Sequence, residues 1–341
     1  MTETLSDRHK AVLQSVIQLY ILTAQPVSSR LIVKNSGLGL GSATIRSVMA
    51  DLEDEGYLAH PHTSAGRIPT STGYRLYVNS LMHIEKLSNT VKKNIRENIE
   101  TINKNRDFLL TKTSEILGLV SSQLCVVIGP SFDDAIFEKI SLVDVANDKL
   151  VIVLSLRTGI VKSVVVEVPK LKKNAELNMT CSVLNERLSG LRVKTIRETI
   201  GRRLHDLNCG NPEIIRLFVE SGDIFFKFDE KKIYVGGTKN IVEQPEFHEQ
   251  EKMKSVIELI EKKDVVVHLL NRTPNTQGIS ITIGEENNPD ISKTFSIVST
   301  HFSFSGHTGT LGIIGPARMW YPKIVPLVNY TAEIINMSAN R

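Results

Sequence analysis

Cysteine is scarce in this 341-residue chain: Cys125, Cys181 and Cys209, with no Cys-x-x-Cys pair. An odd, widely separated set excludes a disulfide framework and suits a reduced cytoplasm. Long apolar runs are missing as well. The longest, at 124–128, 150–154 and 265–267, are strand-length, against the roughly 18 residues of a membrane span. The polar start from Met1 to Lys10 gives no secretory leader, so a cytoplasmic protein with no membrane partner is expected. Metal ligands are not grouped: His60-x-His62 has no cysteine beside it, and His301 and His307 have no carboxylate at ligand spacing. No Ser/His/Asp set stands out, so neither catalysis nor a cofactor is expected.

Also lacking is a dense basic tract. The net charge of +4 is a mild pointer to an acidic partner. Residues 1–85 hold seven Lys/Arg (Arg8, Lys10, Arg30, Lys34, Arg46, Arg67, Arg75) against seven Asp/Glu, so that segment contributes nothing to the surplus. Such a segment does not bind nucleic acid by bulk charge; if DNA is its partner, a few placed side chains must read it. At about 150 residues per domain the length suggests two or three domains.

What is present first is helical periodicity. Val12, Leu13, Val16, Ile17 and Tyr20 predict a helix over 5–22, with Ser6 as N-cap. Pro26 breaks it, Ser28 or Ser29 caps a short second helix through Lys34, and Gly37-Leu-Gly-Leu-Gly41 is a turn. A third helix runs from Ser42 to about Glu55 on a stripe of Ile45, Val48, Met49 and Leu52, ended by Gly56. Residues 57–60 read as strand, 61–66 as turn and 67–69 as a returning edge strand; Thr70 or Ser71 caps a helix that starts at Tyr74. Helix, helix, turn, helix and hairpin make a winged helix-turn-helix over 1–85. Its third helix turns the stripe to the core and leaves Ala43, Thr44, Arg46 and Ser47 exposed near the helix N-terminus, the end that reads base edges. Arg46 suits guanine or a phosphate, Thr44 and Ser47 reach either, and Ala43 suits a thymine methyl. The wing adds Arg67 with the polar His60, His62, Thr63 and Ser64. Asp51, Glu53, Asp54 and Glu55, further along the helix, are expected to form a solvated face held away from the groove.

Residues 86–120 read as a connecting helix or pair, with Leu87, Val91, Ile95, Ile99 and Ile102 packing on the neighbouring domain. Strands are expected at 124–128, 135–144, 150–156 and 160–168, with a hairpin turn at 146–149. Helices follow over 176–220, then strands at 265–270, 278–283, 294–302 and 308–314, and a closing helix at 320–337. β-rich segments flanking a helical middle point to an α+β multidomain chain with one unit inserted into a sheet domain. The glycines add little. Gly37-x-Gly-x-Gly41 imitates a dinucleotide fingerprint, but its third glycine falls one position early and no acidic strand end follows. Gly309, Gly312 and Gly315 read as close packing, not as a phosphate cradle.

Pro26-Val27-Ser28-Ser29-Arg30, Gly37-Leu-Gly-Leu, Ala43-Thr44-Ile45-Arg46, Met49-Ala50-Asp51-Leu52-Glu53 and Gly56-Tyr57-Leu58 form a distinctive series. With Pro61-His62-Thr63-Ser64-Ala65-Gly66-Arg67-Ile68-Pro69-Thr70, Gly73-Tyr74-Arg75 and Tyr77-Val78, that series resembles the HrcA family of bacterial heat-inducible transcription repressors. The segments 233–240, 245–247 and 312–319 look like later landmarks of the family, so the resemblance covers nearly the whole chain. It implies a winged-helix domain at 1–85, a helical linker at 86–120, a GAF-like α+β sheet domain at 121–175 and 255–341, and an inserted dimerisation domain at 176–254. It also implies a homodimer on an inverted-repeat DNA operator (CIRCE) before chaperone genes, relief on heat stress, and support from the chaperonin GroEL. The DNA-facing residues expected are Ser42, Ala43, Thr44, Arg46 and Ser47, with His62, Thr63 and Arg67 of the wing. The chain departs from the family in Gly41-Ser42 for Ser-Pro, Ser47-Val48 for Asn-Asp and Asn79 for Asp, which removes a pre-set helical φ and shortens one contact side chain. Two other functions compete: a regulator holding a small molecule in its GAF-like sheet, and a dimer scaffold whose winged helix binds protein. The Thr44, Arg46 and Arg67 set disfavours the second.

Overall fold

The computed structural model describes residues 5–61, 66–100, 106–146, 148–168, 174–228, 232–271, 278–287 and 295–339. Helix α1 (Asp7–Thr23) begins at Ser6, whose hydroxyl accepts from the His9 N–H. Ser28 caps α2 (Ser29–Ser36) in the same way through Leu31 N–H, and α3 (Ser42–Asp54) follows the glycine turn. Gly56, at φ 79°, lets the chain fold back so that Tyr57 N–H reaches the Leu52 carbonyl. Strands β1 (Leu58–Ala59) and β2 (Ile68–Pro69) pair antiparallel. Thr70 then caps α4 (Ser71–Leu76), which runs into a π turn at Tyr77–Leu81. The two helical stripes meet as expected: Val12, Leu13, Val16 and Ile17 of α1 and Ile45, Val48, Met49 and Leu52 of α3 are all buried.

Helices α5 (Asn89–Glu100) and α6 (Arg106–Ser121) lead into the central sheet. Ile95 and Ile99 of α5 are buried in the core that the N-terminal helices share with the C-terminal one, so this stripe packs on its neighbours. The main sheet is wholly antiparallel, in the order β7 (Ile233–Gly236), β3 (Leu124–Ile128), β10 (His307–Pro316), β9 (Phe295–Phe304), β8 (Ser280–Ile283). Its period-two side-chain alternation feeds two cores. Cys125, Val127, Val298, Leu311 and Ile313 face α5, α6 and α13 (Tyr321–Ala339). Leu124, Val126, Ile128, Ile297 and Ile314 face α10 (Thr238–Val242), α11 (Gln250–Glu261) and α12 (Lys263–Asn271). Gly312 marks a close approach, since a Cβ there would lie 2.3 Å from Leu270 Cδ2. Gly309 is likewise closed off by Phe302, so the glycine series is packing, as the sequence suggested.

Between β3 and β7 the chain builds a second unit. Strands β4 (Phe137–Ala146), β5 (Lys149–Leu156) and β6 (Val161–Glu167) pair only with one another among the described residues. One face of β5, Leu150, Ile152, Leu154 and Leu156, is fully buried against α7 (Asn174–Leu188), α8 (Val193–Leu204) and α9 (Pro212–Phe225). These strands have their apolar partners in the helices that follow them, and their edges meet no strand of the main sheet. A correction concerns 265–270, expected as strand. Val266, Leu269 and Leu270 are buried at helical spacing in α12, because that run covers the main sheet and is not part of it. The architecture is mixed α+β.

Candidate nucleic-acid interface

On α3 the predicted division of faces is sharp. Ala43, Thr44, Arg46 and Ser47 are exposed while Ile45, Val48, Met49 and Leu52 are buried. Arg46 has no hydrogen-bond or ion-pair partner among the described residues, so its guanidinium is available to an incoming acceptor. Ser42 behaves differently: it is half-buried, with its hydroxyl 2.9 Å from that of Ser29, and ties the starts of α3 and α2 together. His62 and Thr63 lie outside the described residues, as do Ser64 of the wing and Ile102 of the linker.

Arg67 is the residue the structure repositions most. Its Nε donates to Glu53 Oε2 at 2.6 Å, and its backbone pairs both ways with Val27. The acidic face of α3 is therefore not uniformly solvated. Asp54 and Glu55 are exposed as expected, but Glu53 holds Arg67 at the start of β2, and Asp51 Oδ2 lies 3.4 Å from His9 Nε2. The other ring nitrogen of His9 shares a 2.6 Å hydrogen bond with Ser6 Oγ. Ser6, Arg8 and His9 of the α1 start consequently line one concavity with Thr44, Ser47, Val48 and Asp51. Sequence reasoning missed this addition to the interface, because it arises from the crossing of α1 and α3 and not from any local pattern. Two helix N-termini and an uncommitted arginine on one surface offer positive potential to a polyanion without a basic tract.

The N-terminal unit is anchored from behind. Arg75 donates from Nε to Glu286 Oε1 at 2.7 Å and from Nη2 to Glu286 Oε2 and the Ile281 carbonyl. Arg318 pairs through two nitrogens with Glu246, adds Gln244 at 2.9 Å, and reaches back to the Ile21 carbonyl at 3.2 Å. Between these clamps sit Tyr74 and Tyr321, whose phenols burial pushes well above their usual range, so they remain neutral.

Comparison with known proteins now decides the class. A family model described as the HrcA protein C-terminal domain matches residues 107–325. The heat-inducible transcription repressor HrcA of Chlorobium phaeobacteroides (strain BS1) is 37% identical over 350 aligned positions, covering 99% of both chains. The chain belongs to the HrcA family. Relatives of the same description in Chlorobium luteolum, 39% identical with 97% of this chain and 96% of that one covered, and Geobacter sulfurreducens, 35% identical with 97% of each covered, agree. A crystal structure of a hypothetical protein shares the fold at a TM-score of 0.64, with 21% identity, over 98% of this chain and 100% of that one. Family membership makes this a heat-inducible transcription repressor with DNA as its partner, and not an enzyme. Among the described residues no helix is long and apolar enough to cross a membrane.

Proposed function

We propose that the N-terminal unit is a winged-helix reader that places the start of α3 in the major groove of an inverted-repeat operator, with Ala43, Thr44, Arg46 and Ser47 toward the bases. One homodimer covers both half-sites. The observation that carries this reading is the exposed Arg46, unpaired among the described residues, on a helix whose opposite face is wholly buried. Ser42 and Arg67 serve the same interface by holding α3 and the wing, and His62 and Thr63 are further DNA-contact residues. Occupancy of a CIRCE-type operator before chaperone genes would block transcription in the cytoplasm. Heat, or diversion of a supporting chaperonin such as GroEL, would lower the population of competent dimer.

Pairing matters because a reader with no net charge binds weakly alone, and tethering two copies makes the second contact intramolecular. The open face of the β4–β5–β6 sheet supports a dimer. Val143, Val145, Val161 and Val165 are exposed there, in a unit that already has its own buried core. A gel-shift with the inverted repeat, run beside the same repeat with one half-site scrambled, tests the reading. The intact repeat should bind far more tightly, and equal binding to both would sink the proposal. The ligand-sensing alternative has one foothold, a cavity of about 160 Å3 at the seam, lined by Tyr20, Tyr74, Glu246 and Arg318. A small molecule retained under native mass spectrometry would favour it.

A further inference from the structure

We propose that Glu53 is a positioning residue for DNA binding, and that Arg67 acts through Glu53 instead of gripping a phosphate. This rests on the DNA-reading role proposed above and adds to it. The wing is thin: β1 and β2 are two residues each. At its base, Gly66 packs on the Pro26–Val27 backbone so closely that a Cβ would lie 2.8 Å from it. Arg67 bonds Val27 through both backbone groups, and Thr70 Oγ1 donates to the Gly56 carbonyl at 2.7 Å. Those contacts tie the wing to α2 and to the end of α3. The Arg67–Glu53 bond ties it to the face of α3 itself, with the two side chains only 23% and 27% exposed.

Glu53 stands seven positions after Arg46, two turns along the same side of the helix, about 10 Å by the rise per residue. The pair thus fixes the wing angle relative to the reading face. It also neutralises a carboxylate that would otherwise face phosphates. The two roles of an acidic residue at a DNA interface predict opposite signs. If Glu53 merely repels DNA, its removal tightens binding; if it positions the wing, removal loosens binding.

The test is operator affinity of the full-length dimer at several salt concentrations, for Glu53→Ala, Arg67→Ala and the double variant. The expected result is a loss of about tenfold for each single variant, with the double no worse than either, as for two ends of one bond. The slope of log K against log salt should stay unchanged. The exchanged pair, Glu53→Arg with Arg67→Glu, should recover most of the affinity, and it serves as the test if a single variant unfolds. Tighter or unaltered binding by Glu53→Ala overturns the inference. A slope reduced by about one unit in Arg67→Ala also overturns it, because Arg67 would then be a phosphate contact. Failure of the wild-type chain to bind the inverted repeat would instead remove the DNA-reading proposal itself.

Discussion

Arg46 and Arg67 look alike in the sequence, two arginines in a nearly neutral segment, yet they sit in different chemistry. The helical phase of α3 puts Arg46 outside the buried stripe, so its exposure was legible from spacing alone. Nothing local to Arg67 announces a partner fourteen residues upstream, since that pairing is made by the hairpin returning over α3. Ser42 was legible as a helix start but not as a partner of Ser29, thirteen residues away. For Arg46 the expectation is a loss of about 1–3 kcal/mol in operator binding for Arg46→Ala if the guanidinium reads a base. In that case the loss should be confined to operator sequence. A loss equal on scrambled duplex, with the salt slope lower by about one unit, would assign Arg46 to a phosphate. Competition titrations on both duplexes separate the two, and an unchanged operator affinity would remove Arg46 from the interface.

Elements with a regular period were read well, and the exceptions share a cause. The apolar run at 265–270 is short, and periodicity alone does not distinguish a buried strand from a buried helix in such a run; only its place over the main sheet decides. The strands at 137–167 were correctly foreseen as strands, but their sheet membership depends on which apolar face they meet. That face is supplied by α7–α9. Their opposite face carries Val161 at 60% and Val165 at 62% exposure, open area that costs free energy unless a second surface covers it. Val161→Lys with Val165→Lys should therefore turn the proposed dimer into a folded monomer, seen as a halved mass in light scattering with an unchanged far-ultraviolet spectrum. A surviving dimer would place the contact elsewhere. Where this unit leaves the main sheet, His307 packs edge-on to Phe132 with ring centroids 4.7 Å apart, and its Nε2 is buried without a partner among the described residues. Burial holds the imidazole below its ordinary value, partly offset by Asp134. The folded pKa is lowered, so the unfolded chain takes up the proton first. Stability should be full above about pH 6.5 and decline as pH falls through that value toward the folded one. The loss should be under about 1 kcal/mol for a half-buried ring. Thermal melts from pH 7.5 to 5.5 check this, and His307→Gln should flatten the trend.

At the scale of the whole molecule, the N-terminal unit contributes none of the +4 charge and shares its core with the sheet unit. Val12, Ile45 and Tyr77 belong to the same buried cluster as Tyr321, Ile324 and Leu327. Around that core the seam is closed by Arg75 on Glu286, by Arg318 on Glu246 and the Ile21 carbonyl, and by Trp320 Nε1 on Glu85 at 2.5 Å. Hydrogen bonds to charged groups contribute about 1.5–3 kcal/mol where both ends are buried and under about 1 kcal/mol where one end is exposed, as Glu85 and Glu286 are. Apart from Arg318 with Glu246, these contacts join segments more than two hundred residues apart, which is why no sequence pattern revealed them. Because the N-terminal unit and the sheet share one core, heating should not free that unit gradually; both should unfold in one transition, and operator binding should vanish with it. Removing the clamps with Arg75→Ala and Arg318→Ala leaves Glu286 and Glu246 without their cations while the shared apolar contacts persist. Calorimetry should then resolve an earlier transition for the N-terminal unit, several degrees below the main one. Operator binding should fail at that lower temperature while the main sheet is still folded. If the double variant keeps a single transition and loses operator binding at the wild-type temperature, the clamps do not set the heat response, and the shared core alone does.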